Sequence, residues 1–131
     1  MLIEDYVQEI QDLIDQLCSV LSCHIDWDKR GIYEGFIRGQ IQFTDHSLLH
    51  LREFVYVETR IDRKMYSYQY MNPAKSIIFR YDNTDHHRQL NLSNFPHHKH
   101  DGSEENVVSS SAPTIGDVLK EIETLLMSDG C

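Results

Sequence analysis

Five of the eight histidines in this chain lie within fifteen residues of one another, in a polar segment. The segment reads FRYDNTDHHRQLNLSNFPHHKH and runs from Phe79 to His100. Imidazoles exchange protons near neutral pH, and they also bind divalent metal ions. The residues of this segment that could take part in chemistry are Arg80, Tyr81, Asp82, His86, His87, His97, His98, Lys99 and His100.

These residue types match the needs of RNA cleavage without a metal ion. The reaction needs a base for the ribose 2′-hydroxyl, an acid for the leaving 5′-oxygen and a positive charge beside the phosphorane. Histidine suits the first two tasks, and the planar guanidinium of Arg80 suits the third. Asp82 would orient a histidine, and Tyr68 on the preceding strand would stack a base or donate a proton.

Two other interpretations of the histidines stay open. Together with Asp82 they offer enough nitrogen and oxygen ligands for zinc or another divalent ion. Adjacent residues of a strand point to opposite faces, so His98 and His100 would share a face that His97 would not join. Histidines also occur in ordinary polar loops with no chemical role. We predict no metal and no cofactor, and we keep a metal-dependent hydrolase as an alternative.

The composition limits the partners that the chain can bind. Its 131 residues are the size of one domain, 40% are apolar, and the formal net charge is −9. Proteins that bind nucleic acid non-specifically usually carry a basic surface that replaces counterions. Any nucleic-acid site must therefore be local, and the rest of the surface would attract a basic partner.

The cysteines and the N-terminus predict a cytoplasmic location. Cys18, Cys23 and Cys131 form no CxxC motif, and free thiols in a reducing cytosol are the simplest interpretation. The sequence MLIEDYVQEIQDL is acidic and periodic, unlike a signal peptide. No apolar run approaches the ~20 residues of a membrane helix, so we expect no membrane association.

Periodicity predicts the elements that position these residues. Apolar residues recur every three to four positions over residues 2–22, which predicts a helix. Alternating segments joined by short turns over residues 33–82 are typical of an antiparallel meander of about four strands. Residues 83–112 lack sustained periodicity and predict a long histidine-rich loop. Thr114 is the expected N-cap of a second helix over residues 114–127.

The predicted fold class is α+β, a single domain of residues 1–131 with both helices packed on one face of the sheet. The other face would then carry arginines and aromatic residues, which stack bases and hold phosphates, dock a partner, or merely form a stabilising ladder. On the next strand, Arg80 and Asp82 share one face, and Phe79 and Tyr81 share the other. The residues expected on the uncovered face are Arg38, Gln40, Arg52, Phe54, Tyr56, Tyr66, Tyr68 and Tyr70.

Several ordered motifs make the chain resemble a known family. YSYQY, FRYDNTDHH and NFPHHKH begin at Tyr66, Phe79 and Asn94, and the second helix opens with APTIGDVLKEI. This order, from about Gly35 to Ile122, resembles that of the TumE family. Its members are small prokaryotic proteins described as toxins of type II toxin–antitoxin pairs.

The resemblance implies a cytoplasmic toxin that forms a complex with an antitoxin carrying a helix-turn-helix DNA-binding domain. Ribonuclease action, as in many toxins of this type, is an extension of the resemblance. The chain is strongly acidic, whereas ribosome-dependent ribonuclease toxins are commonly basic. The positions that match the family's motifs are Tyr66, Tyr68, Arg80, Tyr81, Asp82, His86, His87, His98, Lys99 and His100.

We therefore predict a toxin that acts as a metal-independent endoribonuclease on RNA. The alternative is a non-catalytic module in which the tyrosines and histidines dock a protein. The expected catalytic residues are Arg80, Asp82, His86, His87, His98, His100 and Tyr68, and the expected substrate-binding residues are Tyr66, Tyr81 and Lys99.

Overall fold

The structure of the chain, a computed structural model, describes residues 1–84 and 92–127. Within these ranges the chain forms two α-helices and one seven-stranded sheet. Each strand pairs antiparallel with its neighbours in sequence, in the order β1 to β7, so the predicted α+β meander is confirmed. The elements are α1 (Ile3–Asp15), β1 (Val20–Lys29), β2 (Glu34–Phe43), β3 (Leu48–Tyr56), β4 (Asp62–Met71), β5 (Ile77–Asp82), β6 (His98–Asp101), β7 (Val107–Ser109) and α2 (Ile115–Leu126).

The sheet has more strands than the sequence predicted. The helix expected over residues 2–22 ends at Asp15, and β1 begins at Val20. In β1 the less polar Cys23, Ile25 and Trp27 alternate with His24 and two aspartates, and this two-residue period favours a strand. The loop expected over residues 83–112 contains β6 and β7, and together with β1 these raise the strand number from about four to seven.

The cysteines differ from the prediction at one position. Cys23 is an exposed free thiol. Cys18 is disulfide-bonded, so the prediction of free thiols is wrong for this residue. Cys131 lies outside the described residues.

Both helices are amphipathic and pack on the same face of the sheet. The α1 helix buries Ile3, Tyr6, Ile10 and Ile14. The predicted start of α2 is confirmed, because the Thr114 hydroxyl and the side chain of the third helical residue form a reciprocal capping box. Neither of these helices is long and apolar enough to cross a bilayer, among the residues that the structure describes.

The face beneath the helices holds the core, and it includes the tyrosines of β4. Leu51 pairs with Tyr68, and Leu49 pairs with Tyr70, so these tyrosines share the aliphatic face. The prediction that they lie on the uncovered face is wrong. Alternation shows that Tyr66, Tyr68 and Tyr70 share a face without showing which one, and a slip of one residue exchanges the faces. All three are buried in the core.

The opposite face, called the open face below, carries two rows of polar residues across the strands. Arg38, Gln40, Arg52, Phe54 and Tyr56 lie there, as predicted. Arg80 and Asp82 share this face, whereas Phe79 and Tyr81 lie on the covered one. One row consists of Asp26, Arg38, Arg52, Ser67, Asp82 and His98. The second row consists of His24, Gln40, His50, Gln69, Arg80 and His100.

The close approach of α1 to the sheet depends on Gly35. A Cβ atom at this position would lie 2.8 Å from Ile3 Cγ1 and 3.2 Å from the backbone oxygen of Asp28. We expect Gly35→Ala to lower the free energy of unfolding by about 2 kcal/mol, because overpacking forces the helix away from the sheet. Urea denaturation measures the change. Gly31→Ala is the matched control, since its nearest neighbour would be 3.7 Å away, and an equal loss in both variants would contradict the prediction.

Candidate functional site

Four of the predicted site residues meet where β5 pairs with β6. The register places Arg80 opposite His100 and Asp82 opposite His98. Residues two apart on a strand share a face, so all four side chains lie together on the open face. Asp82, His98 and His100 are only 2–3% exposed. We call Arg80, Asp82, His98 and His100 the His–Arg cluster.

Asp82 is the central acceptor of the His–Arg cluster. Its Oδ2 accepts a hydrogen bond from Arg80 Nε at 3.0 Å. Its Oδ1 lies 2.8 Å from His98 Nε2 and accepts hydrogen bonds from the backbone N–H and the hydroxyl of Thr84. One carboxylate therefore fixes the positions of a guanidinium and an imidazole.

Hydrogen-bond partners define which nitrogens of the two histidines carry protons. His100 Nδ1 lies 2.9 Å from the Glu104 carbonyl, which only accepts, so this nitrogen donates. Its Nε2 lies 3.0 Å from Arg80 Nη2, which only donates, so this nitrogen accepts. His98 Nδ1 donates to the Pro96 carbonyl at 3.0 Å. His98 Nε2 lies 2.8 Å from Asp82 Oδ1, within ion-pairing distance of the carboxylate.

A carboxylate holds the exposed end of Arg80. Glu104, in the turn between β6 and β7, accepts from Arg80 Nη1 at 2.6 Å and from Nη2 at 3.0 Å. Gln69 accepts a further hydrogen bond from Arg80 Nη1 at 3.0 Å. The side chain of Glu104 is 53% exposed. Two parallel N–H···O bonds are also the geometry in which arginine binds phosphate. Glu104 thus occupies the position that a phosphate group would take.

An open groove of about 510 Å³ leads to the His–Arg cluster. Asp82 and Arg80 form one end of its floor, and strands β3 and β4 form the rest. Burial, and then the charge of Lys75, lower the pKa of His50 on its wall, which favours the neutral imidazole. The lining residues are His50, Arg52, Met65, Ser67, Gln69, Arg80, Asp82 and Thr84.

The three buried residues of the His–Arg cluster also suit a metal ion in part. Asp82, His98 and His100 each offer one ligand atom, and these three atoms lie within 4.8 Å of one another. Arg80, however, donates to Asp82 Oδ2 and to His100 Nε2. The guanidinium therefore competes with any cation for the same lone pairs, and a metal would have to displace it.

The other predicted site residues do not join the His–Arg cluster. Tyr68 and Tyr66 lie on the covered face. The Tyr68 hydroxyl donates to Glu53, and the Tyr66 hydroxyl contacts His97. Tyr81 donates to Glu121 of α2 at 2.8 Å. Lys99 lies over the rings of Phe79 and Tyr81, also away from the cluster. His86 and His87 lie outside the described residues.

Sequence reasoning missed a second polar network, which lies beneath the helices. Glu53 is fully buried and accepts hydrogen bonds of 2.5 Å from the hydroxyls of Tyr6 and Tyr68. Burial raises the pKa of Glu53, against the opposing effects of the two hydroxyls and of Arg63. Burial, and then the charge of Glu53, raise the pKa of Tyr6. A glutamate within the aliphatic alternation of β3 was the pattern that could have revealed it.

Arg63 links this network to the start of α2. Its Nη1 donates to the Pro113 carbonyl at 2.7 Å and to the Tyr68 hydroxyl at 3.2 Å. Its guanidinium also lies 4.2 Å from the centre of the Tyr66 ring. Burial raises the pKa of Tyr66 to about 12, and Arg63 opposes this rise. Arg63 thus joins the Glu53–Tyr68 network to the backbone that precedes helix α2.

The fold and the His–Arg cluster together define a small α+β protein with a buried cluster of charged and imidazole side chains on the open face of its sheet. The family model described as Toxin TumE matches residues 10–126. The chain therefore belongs to the TumE toxin family. No curated protein and no solved structure matches the chain significantly.

Proposed function

We propose that the chain is the toxin of a toxin–antitoxin pair and that it cleaves RNA without a metal ion. Membership of the TumE family supports the toxin role. The observation that supports the chemistry is the His–Arg cluster, in which Arg80 contacts Asp82 and His100 and lines the open groove. An arginine, a carboxylate and two imidazoles in contact supply phosphate binding and two proton-transfer groups.

We give each histidine one role in the proposed reaction. Nε2 of His100 accepts a hydrogen bond from Arg80 in the free chain, and it takes the proton of the 2′-hydroxyl once Arg80 turns to the substrate. The 2′-oxygen attacks phosphorus, and the bond from phosphorus to the 5′-oxygen breaks. His98, whose Nε2 lies beside Asp82, gives a proton to the leaving oxygen. The products are a 2′,3′-cyclic phosphate and a 5′-hydroxyl.

Glu104 controls access to this arrangement. Its carboxylate occupies both terminal nitrogens of Arg80, and the two histidines lie beneath the guanidinium with 2% exposure. The scissile phosphate would replace Glu104 on Arg80 and would bring its ribose to the histidines. The half-exposed position of Glu104 in a turn suits such an exchange.

The purified chain tests the proposal directly. We expect it to cleave a single-stranded RNA in the presence of EDTA, to leave 2′,3′-cyclic ends, and to spare the same sequence with 2′-O-methyl groups. Gel electrophoresis and mass spectrometry of the products measure these results. Cleavage that EDTA abolishes would replace the acid–base role with a metal-dependent hydrolase. No cleavage by folded protein would favour a protein-binding module.

We also propose an antitoxin with a helix-turn-helix domain as the partner, bound in the cytoplasm. The support is the family membership and the net charge of −9, which favours a basic partner. Expression of the chain alone should stop growth, and co-expression of the antitoxin encoded beside it should restore growth and co-purify. Unimpaired growth during expression of the folded chain alone would contradict this proposal.

A further inference from the structure

The open face carries more than the His–Arg cluster. We infer that it contains a binding subsite for single-stranded RNA, in which Arg52 binds a phosphate beside the scissile one and Phe36 and Phe54 stack a base. The inference rests on the proposed function, since it names the contacts that would hold the same substrate. It concerns residues of β2 and β3, which do no chemistry.

Arg52 is a cation of the open face that the fold leaves available to a ligand. It is exposed, and it makes no ion pair among residues 1–84 and 92–127. Arg38, which lies opposite Arg52 on β2, already donates a hydrogen bond to Asp28 at 3.4 Å. In a chain with 21 acidic and 12 basic residues, an exposed arginine without a carboxylate partner is suited to an anion from outside.

Two phenylalanines beside Arg52 form a stacking platform. Phe36 and Phe54 are cross-strand partners on the open face, with ring centroids 6.3 Å apart in an edge-to-face arrangement. Both rings are half-buried and neither joins the core. The guanidinium groups of Arg38 and Arg52 lie 5.2 and 5.7 Å from the centre of the Phe36 ring. Aromatic rings with arginines are the usual means of binding single-stranded bases without sequence preference.

The subsite is continuous with the His–Arg cluster. Arg52 lines the groove that also contains Arg80 and Asp82. Together with Arg38, Arg52 also lines an adjoining hollow of about 250 Å³. Arg52, Ser67 and Asp82 lie in one row across β3, β4 and β5, so two strand spacings, about 10 Å, separate the two sites. A single strand can therefore cross the sheet from the phenylalanines to Arg80 without leaving the face.

A strand that crosses this face meets the guanidinium groups of Arg38, Arg52 and Arg80 in a chain with a net charge of −9. Strong repulsion elsewhere on the surface would confine the RNA to the groove. Flat stacking on phenylalanine suits unpaired bases, because a duplex hides their faces. The substrate class is therefore single-stranded RNA, with one base bound ahead of the scissile bond and little sequence preference.

The test is the binding of a fluorescent 2′-O-methyl oligoribonucleotide, which cannot form the cyclic product, at several salt concentrations. Arg52→Gln should weaken binding about tenfold and should lower the slope of log affinity against log salt by about 0.7, the value for one phosphate contact in a single strand. The double variant Phe36→Leu/Phe54→Leu should weaken binding about tenfold with an unchanged slope, because stacking involves no counterions.

Two controls make these results specific. Arg60→Gln removes the same charge from the exposed turn between β3 and β4, outside the open face, and should leave affinity and slope unchanged. An oligonucleotide with abasic sites keeps its phosphates and lacks bases. It should bind the double leucine variant and the parent chain equally, whereas Arg52→Gln should still weaken it.

The outcomes separate this inference from the proposed function. Oligonucleotide binding with these variant effects supports the subsite even when the parent chain cleaves no RNA. Unchanged binding in both variants overturns the subsite, even when the parent chain cleaves RNA. Absence of any oligonucleotide binding also overturns it, and the open face would then be a surface for a protein partner.

Discussion

Replacement of both His98 and His100 by glutamine is expected to lower the rate of RNA cleavage by at least about a thousandfold. In the proposed reaction, these two residues are the group that accepts the 2′-hydroxyl proton and the group that protonates the 5′-oxygen, and the variant removes both. It keeps polar side chains of similar size next to Asp82 and Arg80, so the pairing of β5 with β6 should survive. Rates come from single-turnover cleavage of a labelled RNA, and cell growth during expression should recover in parallel.

His46→Asn is the matched control for this variant. His46 lies in the turn between β2 and β3 with a φ of 70°, a conformation that asparagine tolerates, and it has no part in the cluster. It should leave the cleavage rate unchanged. Binding of the 2′-O-methyl oligonucleotide by the double glutamine variant shows that its open face is folded. Cleavage at the parent rate by that folded variant would refute the acid–base assignment.

Replacement of Glu53 by leucine is expected to lower the free energy of unfolding by about 3 kcal/mol. The hydroxyls of Tyr6 and Tyr68 would lose their acceptor in the interior, and each unsatisfied buried hydroxyl is destabilising. Arg63 would also lose its electrostatic interaction with Glu53. Urea denaturation of the purified chain measures the loss, with the midpoint and the slope fitted separately.

A triple variant shows whether the hydrogen bonds cause this loss. Tyr6→Phe and Tyr68→Phe, added to Glu53→Leu, remove the stranded hydroxyls, so part of the stability should return, because the removal of both partners is nearly neutral. This expected recovery concerns only the hydrogen bonds of this network, which α1 and β4 enclose. A triple variant less stable than Glu53→Leu alone would show that packing, not hydrogen bonding, makes Glu53 important.

The raised pKa of Glu53 predicts that the stability of the chain depends on pH. Burial raises the pKa of Glu53 in the folded chain above its ordinary value of 4.5, so the folded state holds this proton more tightly than the unfolded state does. That stabilisation is complete below pH 4.5 and is lost as the pH rises through the raised value. Glu53→Gln stays neutral, so its stability relative to the parent should increase with pH over this window. A difference that is independent of pH would contradict the assignment.

The sequence predicted those parts of the fold that follow from local periodicity. The antiparallel meander, the helix start at Thr114 and the shared face of Arg80 and Asp82 are read from alternation and capping. The shared face of His98 and His100 follows from their spacing in the same way. These features depend on neighbours in sequence, and a single chain contains that information.

The features that the sequence did not predict depend on partners distant in sequence. Alternation in YSYQY is equally compatible with both faces, and only pairing with β3 places Tyr68 beneath the helices. Glu53 could be placed on the covered face by alternation, but its partners Tyr6 and Tyr68 are distant in the chain. Glu104 was also missed, because its contact with Arg80 depends on β6 and β7, which are too short to predict from periodicity.

The sequential order of the strands has a consequence for the timing of synthesis. Each strand pairs only with its neighbours in the chain, so the sheet can grow as the ribosome releases it. The His–Arg cluster needs β5 and β6, and a chain that stops before His98 lacks half of it. At the usual speed of translation, the first hundred residues take roughly 5–20 s. With the proposed function, each nascent chain is therefore inactive for several seconds, during which a neutralising partner can accumulate.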